Sequence, residues 1–378
     1  MAAPLKTAVA GSSGFVPRAT FEVSSQITRS YFLGHHAGTL SSIRKDLQNT
    51  SLVLECRDSR VPITSTNPLL EAALAGRDRI IVYTKSSLCA PITSSRWLEK
   101  QHQLFTNYHS AHSSKLGESE GGPGWTRVVF TDNQKPKSIQ KLISTIRERA
   151  IAADSLTGLR ALIVGMPNVG KSTLLNALRR NGMQLPGAAR VGSQPGITRK
   201  MSAPVRVIPA DEAAGIEQGV YVIDTPGVFV PYVSNVEAML KLSLVGCVKT
   251  GVVPTEIIAD YLLFQLNLRD PELYSEYSPP TNDVLVFLDG VARRTGKLLK
   301  FGEPNREVAA DWIIWQWRKG FLGQFGLDDV SEENLRALAE KKLAGAEEQP
   351  LSMNQARKKE KEARKARHAA KRQAAEAA

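Results

Sequence analysis

Three cysteines in 378 residues, Cys56, Cys89 and Cys247, are too few and too widely spaced for a disulfide framework or a zinc site. Long apolar runs are missing as well: none approaches the roughly 18 residues a membrane-spanning helix needs. Acidic residues are in deficit, 37 against 49 Lys+Arg, which leaves a formal charge of +12. No internal repeat is visible. These scarcities lead to the expectation of a soluble protein from a reducing compartment. With 42% hydrophobic residues, wholesale disorder is excluded. The length suggests about two domains, with tails.

The positive charge is concentrated. From Leu351 to Ala378 nine Lys/Arg stand against three Glu, so the last 28 residues carry +6, half of the total. A polyanion is the natural partner of such a tail, through release of counterions from phosphates. A solvated tail that only keeps the chain soluble is the other reading. At the opposite end, residues 1–30 hold Lys6, Arg18 and Arg29 against Glu22, among many Ser, Thr and Ala. That composition resembles a mitochondrial transit segment, with an unstructured start as the alternative.

Between the ends, hydrophobic patterning alternates. Leu40, Ile43 and Leu47 mark a helix face. Ser51–Cys56, Arg79–Thr84, Arg127–Thr131, Arg160–Val164 and Val220–Ile223 read as short buried strands. Asn67-Pro68 caps a helix that stops at Gly76, and a further helix is expected over Pro136–Ala153. A Gly/Ser/His-rich stretch at about 109–124 reads as a flexible insertion. Its histidines His109 and His112, with His102 beside it, match no metal-ligand spacing. Strands alternating with helices predict an α/β fold, a mostly parallel sheet covered on both faces. After Val233 the pattern turns helical, with an apolar face at Val284, Phe287, Leu288 and Val291. The expected division is 1–30, 31–233, an all-α domain at 234–330, and a basic tail at 331–378. On the helix from Val308, Trp312 and Trp315 lie close to one face. Burial of that face is expected over base stacking.

Gly165-Met-Pro167-Asn168-Val169-Gly170-Lys171-Ser172-Thr173 fits the phosphate-loop pattern G-x-x-x-x-G-K-[ST], with a strand before it and a helix after it. Glycines let backbone N–H groups close on phosphates, and the helix N-terminus adds partial positive charge. Lys171 is then expected at the β/γ-phosphates and Ser172 at Mg²⁺. Asp224-Thr-Pro-Gly227 follows a strand and supplies the second metal-side acid, with the Gly227 N–H placed to sense the γ-phosphate. Thr198, in Pro-Gly-Ile-Thr, stands between them as a magnesium cap. A base reader normally follows these elements. Here it precedes them: Thr84-Lys85-Ser86-Ser87 ends one strand, and Thr131-Asp132-Asn133 ends the next as a base-contacting loop. The order describes a circularly permuted P-loop G domain.

In these segments, together with Phe32-Leu-Gly-His-His36, Asp58-Ser-Arg-Val-Pro62 and the C-terminal GKLLKFGEPN and RKGFLGQF, the chain resembles circularly permuted GTPases of the YlqF/RbgA type. The resemblance covers about Tyr31 to Asp329. It implies GTP and GDP as ligands, with Mg²⁺, and hydrolysis stimulated by the large ribosomal subunit in assembling that subunit. Mitochondrial members of this family act in the matrix, often at the inner membrane, with the large mitoribosomal subunit (rRNA and proteins) as partner. A monomer off the ribosome is expected. The resemblance also places a bound K⁺ at Asn168 and a catalytic role on His35. The permutation lets the segment Val228–Ser234 carry nucleotide state into the helical domain.

Two positions depart from common GTPase chemistry. Val228 replaces the glutamine that often orients water after D-x-x-G, so intrinsic turnover is expected to be slow. Ser87 stands where the family's base reader has Asp. Hydrogen bonds to a carboxylate are each worth about 1.5–3 kcal/mol, so discrimination against adenine should fall. Ser87 therefore opens a second reading, a nucleotide-compromised rRNA-binding scaffold.

Overall fold

The computed structural model describes residues 14–23, 27, 34–89, 95–113, 124–189, 192, 198, 201–230, 232–233 and 235–344, with 354, 355, 358, 361, 362 and 365 in the tail. The apolar runs become strands because both faces of the sheet are covered: β1 (Leu52–Asp58) is buried at every position, and β2 (Arg79–Thr84) at all but its first. With β3 (Thr126–Phe130), β4 (Leu159–Gly165), β5 (Val205–Ile208) and β6 (Val220–Asp224) they form one six-stranded sheet, in the order β3-β2-β1-β4-β6-β5. Every neighbouring pair is parallel except β5 with β6. The four-residue β5 escaped the sequence pattern, since Pro204 and Pro209 bracket it too closely for a periodicity to show.

Side chains alternate along β1. Val53 joins Leu40, Ile43 and Leu47 from the α1 region (Gly34–Asp46) and Leu70 of α2 (Pro68–Ala73) on one face. Leu52, Leu54 and Cys56 join Ile139, Leu142 and Ile146 of α4 (Pro136–Ala153) and Leu174 of α5 (Lys171–Met183) on the other. α2 begins as expected, with the Asn67 carboxamide oxygen accepting from Leu69 N at 3.0 Å. Beyond the sheet, α6 (Val236–Leu244), α7 (Thr255–Asn267), α8 (Val284–Thr295) and α9 (Arg306–Lys319) share the same apolar cluster as α4 and α5.

The expected insertion and both ends of the chain include ordered parts. α3 (Ser95–Ser113) is helical well past residue 109, because His109 is buried and bonds the Tyr83 hydroxyl at 3.0 Å. Residues 14–23, within the segment expected as a leader, pack on α7: Arg18 pairs with Asp260 at 2.6 Å and Phe21 meets Tyr261 edge-on, 5.2 Å between ring centres. Part of the expected tail is also docked. α10 (Glu332–Leu343) packs on α3, and its Leu335 is buried beside Tyr83 and Phe105. On α9 the buried side is Ile313, Ile314 and Trp317, whereas Trp315 is 45% exposed and Trp312 half-buried under Lys297. Lys297 and Lys319 lie over Trp312 and Trp315, 4.5 and 5.6 Å from their ring centres. Among the described residues no helix is long and apolar enough to cross a membrane.

Candidate nucleotide site

Parallel strands deliver their C-terminal ends to one edge of the sheet, and ligand sites of such sheets lie there. The loops after β2, β3, β4 and β6 therefore converge whatever their order in the chain. β1 lies between β2 and β4, with Asp58 in register with Thr84 and Cys56 with Gly165.

After β4, Gly165 turns at φ +146°, and a Cβ there would lie 2.4 Å from Cys56 O, so only glycine fits against β1. Gly227 is as tightly placed: its Cβ would stand 2.6 Å from Pro167 Cα, which brings the D-T-P-G turn onto the phosphate loop. Lys171 is buried at the start of α5, and its Nζ donates to Gly165 O (3.2 Å) and Met166 O (2.8 Å) within the loop. Burial lowers its pKa while Asp224 opposes that shift. Val169 is buried in the core, leaving its backbone for the site, while Thr173 is half-buried in the first turn of α5.

The three expected metal-side groups come together. Ser172 Oγ donates to Asp224 Oδ2 at 2.5 Å and lies 3.2 Å from Thr198 Oγ1. Ser202 Oγ accepts from Asp224 N at 2.8 Å and fixes the acid's backbone. Asp224 is 1% exposed, and its Oδ1 is buried with no hydrogen-bond partner among the described residues. Burial raises its pKa, partly offset by Ser172 and Lys171. A buried carboxylate oxygen without a donor, beside two hydroxyls, suits a hard divalent cation such as Mg²⁺.

The base-reader loop is tied to the phosphate loop. Thr84 Oγ1 donates to Val169 O at 2.5 Å, and Lys85 Nζ donates to Asn168 O and to Asp58 Oδ2, both at 2.8 Å. Asp58 in turn holds Arg60, a link the sequence marked only as a D-x-R spacing at a strand end. Ser87 N donates to Asp132 Oδ2 at 3.2 Å, Thr131 is buried, and Asn133 is half-buried. Asn168 takes φ +57°, and its amide nitrogen donates to Gly246 O, just after α6, at 2.9 Å. Val228 is fully buried beside Leu40 and Ile43, so its side chain turns away from the phosphate edge. The His35 side chain lies outside the described residues, as do Pro195, Gly196 and Ile197 and most of the basic tail. Neighbouring His36 is buried. His102 bonds Val128 O at 2.9 Å, and among the described residues no cluster of His, Cys, Asp and Glu could hold a metal.

With base-reader loops ahead of the phosphate loop and all of them on one sheet edge, the class is a circularly permuted P-loop GTPase fold. Residues 160–275 match the family profile described as 50S ribosome-binding GTPase. Mitochondrial GTPase 1 of Schizosaccharomyces japonicus is 35% identical over 305 residues, covering 80% of this chain and 91% of that protein. Mitochondrial ribosome-associated GTPase 1 of Xenopus tropicalis is 29% identical, over 82% of this chain and 98% of its own. Among solved structures, GNP-bound YlqF from T. maritima aligns with a TM-score of 0.47 at 23% identity, covering 77% of this chain and 97% of that one. The chain belongs to the mitochondrial GTPase 1 family of circularly permuted GTPases.

Proposed function

We propose that this chain binds GTP with Mg²⁺ and hydrolyses it to GDP and phosphate in the mitochondrial matrix, in assembling the large mitoribosomal subunit and so supporting mitochondrial translation. The single observation that carries the reading is the meeting of Lys171, Ser172, Thr198 and Asp224 on the sheet edge that also bears the base-reader loops. The names of the mitochondrial relatives support the compartment and the ribosomal partner. The basic tail, by its charge, suits rRNA. Residues 31–233 would carry the nucleotide chemistry and 234–330 would face the ribosome, with peripheral contact at the matrix face of the inner membrane.

In hydrolysis, water attacks the γ-phosphorus, the bond to the β–γ bridging oxygen breaks, and GDP leaves with the electron pair. Lys171 neutralises the β/γ oxygens, and N–H groups of the phosphate loop bind the remaining charge. Ser172, Thr198 and Asp224 would hold Mg²⁺, which supplies charge stabilisation at the β- and γ-phosphates. Val228, buried in the core, offers no group to orient the water, so turnover without the ribosome is slow. His35 would position or deprotonate the water, as an imidazole can. The amide oxygen of Asn168, whose nitrogen is fixed on Gly246 O, is a hard donor of the kind K⁺ takes, in place of an arginine finger.

Calorimetric titration with GDP and ADP, in Mg²⁺ and K⁺, tests the reading, with Lys171→Ala as the blank. GDP binding and a GTPase rate that rises on adding large mitoribosomal subunits are expected. Binding of neither nucleotide would favour the second reading, a non-hydrolysing rRNA scaffold, which Ser87 at the reader position supports.

A further inference from the structure

Guanine is told from adenine by a carboxylate that accepts from its N1–H and its exocyclic amino group, and Ser87 removes that carboxylate from the reader loop. We infer that Asp132, on the loop after β3, supplies it; the assignment rests on the GTP reading above. Ser87 N donates to Asp132 Oδ2 at 3.2 Å, so this carboxylate is seated on the backbone of the residue whose side chain it replaces. The placement is built rather than incidental. Thr131 N donates to Tyr83 O at 2.8 Å and Ser86 N to Thr131 O at 3.1 Å, joining the two loops through their backbones. Ser138 Oγ accepts from Asp132 N at 2.9 Å, and Asp132 Oδ1 accepts from Gln134 N at 2.8 Å.

Each carboxylate oxygen can accept two hydrogen bonds. Gln134 N and Ser87 N take one on each oxygen, so each oxygen keeps one acceptor position, matching in number the two adjacent donors of guanine. Asp132 is only 5% exposed, so the bonds that seat its carboxylate compete little with water. Among the described residues, the other acids of this edge serve elsewhere: Asp58 bonds Arg60 and Lys85, and Asp224 stands with Ser172 on the metal side. Adenine presents no donor pair in that position, and xanthine offers a carbonyl where guanine has its amino group. The specificity that the reader motif lacks is thus transferred to the neighbouring loop.

The test is Asp132→Asn, titrated with GDP, ADP and xanthosine diphosphate (XDP) beside the wild type. Asparagine keeps the oxygen that receives Gln134 N, gives up the bond from Ser87 N, and can donate to the xanthine carbonyl. The wild type is expected to prefer GDP over ADP at least ten-fold. Asp132→Asn should lose at least ten-fold for GDP and gain at least ten-fold for XDP, an inversion that misfolding cannot produce. Ser87→Asp placed in the Asp132→Asn background should return the GDP preference, by restoring a carboxylate at the reader position. If Asp132→Asn retains GDP within three-fold and gains nothing for XDP, Asp132 is not the reader, while the GTP reading stands. Equal GDP and ADP binding by the wild type also overturns the assignment. Binding of neither by the wild type overturns it together with the GTP reading.

Discussion

Replacing Arg60 with alanine isolates the contribution of one buried ion pair at the junction between the base reader and the helical region. Arg60 is 2% exposed and Asp58 0%, and they meet through two bonds, Nε to Oδ1 at 3.0 Å and Nη2 to Oδ2 at 2.8 Å. The guanidinium also reaches Val245 O at 3.4 Å and lies 5.0 Å from the ring centre of Trp317 on α9. Removing the arginine leaves Asp58 with Lys85 as its remaining charged partner. Breaking a buried pair in this way costs about 3–5 kcal/mol, and loss of a desolvated cation–π contact adds up to about 2 kcal/mol. Urea unfolding at pH 7 should therefore place Arg60→Ala at least about 3 kcal/mol below the wild type. The double variant Asp58→Asn/Arg60→Met removes both charges and should cost less than the sum of the single changes by more than about 1 kcal/mol.

The pH dependence carries a sign that can be checked. Burial alone pushes the Asp58 carboxyl up, but Arg60 and Lys85 overcome that and hold it well below the usual carboxylate range. A depressed folded-state value contributes stability that is fully present above the unfolded pKa, about 3.9, and is lost as pH falls toward the folded value. The gap between wild type and Arg60→Ala should thus be full at pH 7 and narrow below about pH 4. A cost under about 1 kcal/mol, or strict additivity in the double variant, would refute the argument.

Three further outcomes follow from particular side chains. Asp224→Asn should raise stability without metal by about 1–2 kcal/mol at pH 7, because the raised carboxylate is costly above its unfolded pKa; it should also abolish the Mg²⁺ dependence of GDP binding. Melting curves with and without Mg²⁺-GDP decide, and a lower melting temperature of the metal-free variant would count against it. In the wild type the same raised pKa makes Mg²⁺ affinity climb with pH through it. A chain starting at residue 24 should be about 2–3 kcal/mol less stable than one starting at residue 14, through the half-buried Phe21 and the Arg18–Asp260 pair. Equal urea midpoints would show that this segment does not anchor. Phe301→Gly should stabilise by about 1 kcal/mol, since Phe301 is fully exposed yet holds φ +71°, a conformation costly for a residue with a Cβ. A lower melting temperature would mean that the ring makes contacts that offset this strain.

The phosphate loop, the D-T-P-G turn, the Asn67-Pro68 cap and the buried strands were legible in the sequence because each is a local device. A glycine spacing, a capping side chain or an apolar run needs only its neighbours to act, so residue order alone determined them. The same holds for the permuted order, since parallel strands bring their ends together regardless of connection. Other features depended on residues far apart in the chain. Arg18 meets Asp260, Leu335 buries itself beside Tyr83, and Asn168 bonds the turn after α6. On α9, apolar side chains occurred on more than one face, and packing on α7 and α8 chose Ile313, Ile314 and Trp317. The sequence showed that Ser87 lacks a carboxylate. Only the fold, by closing the loop after β3 onto the loop after β2, decided that Asp132 stands against it, because a hydrogen bond across 45 residues is settled by where the sheet sets its strand ends.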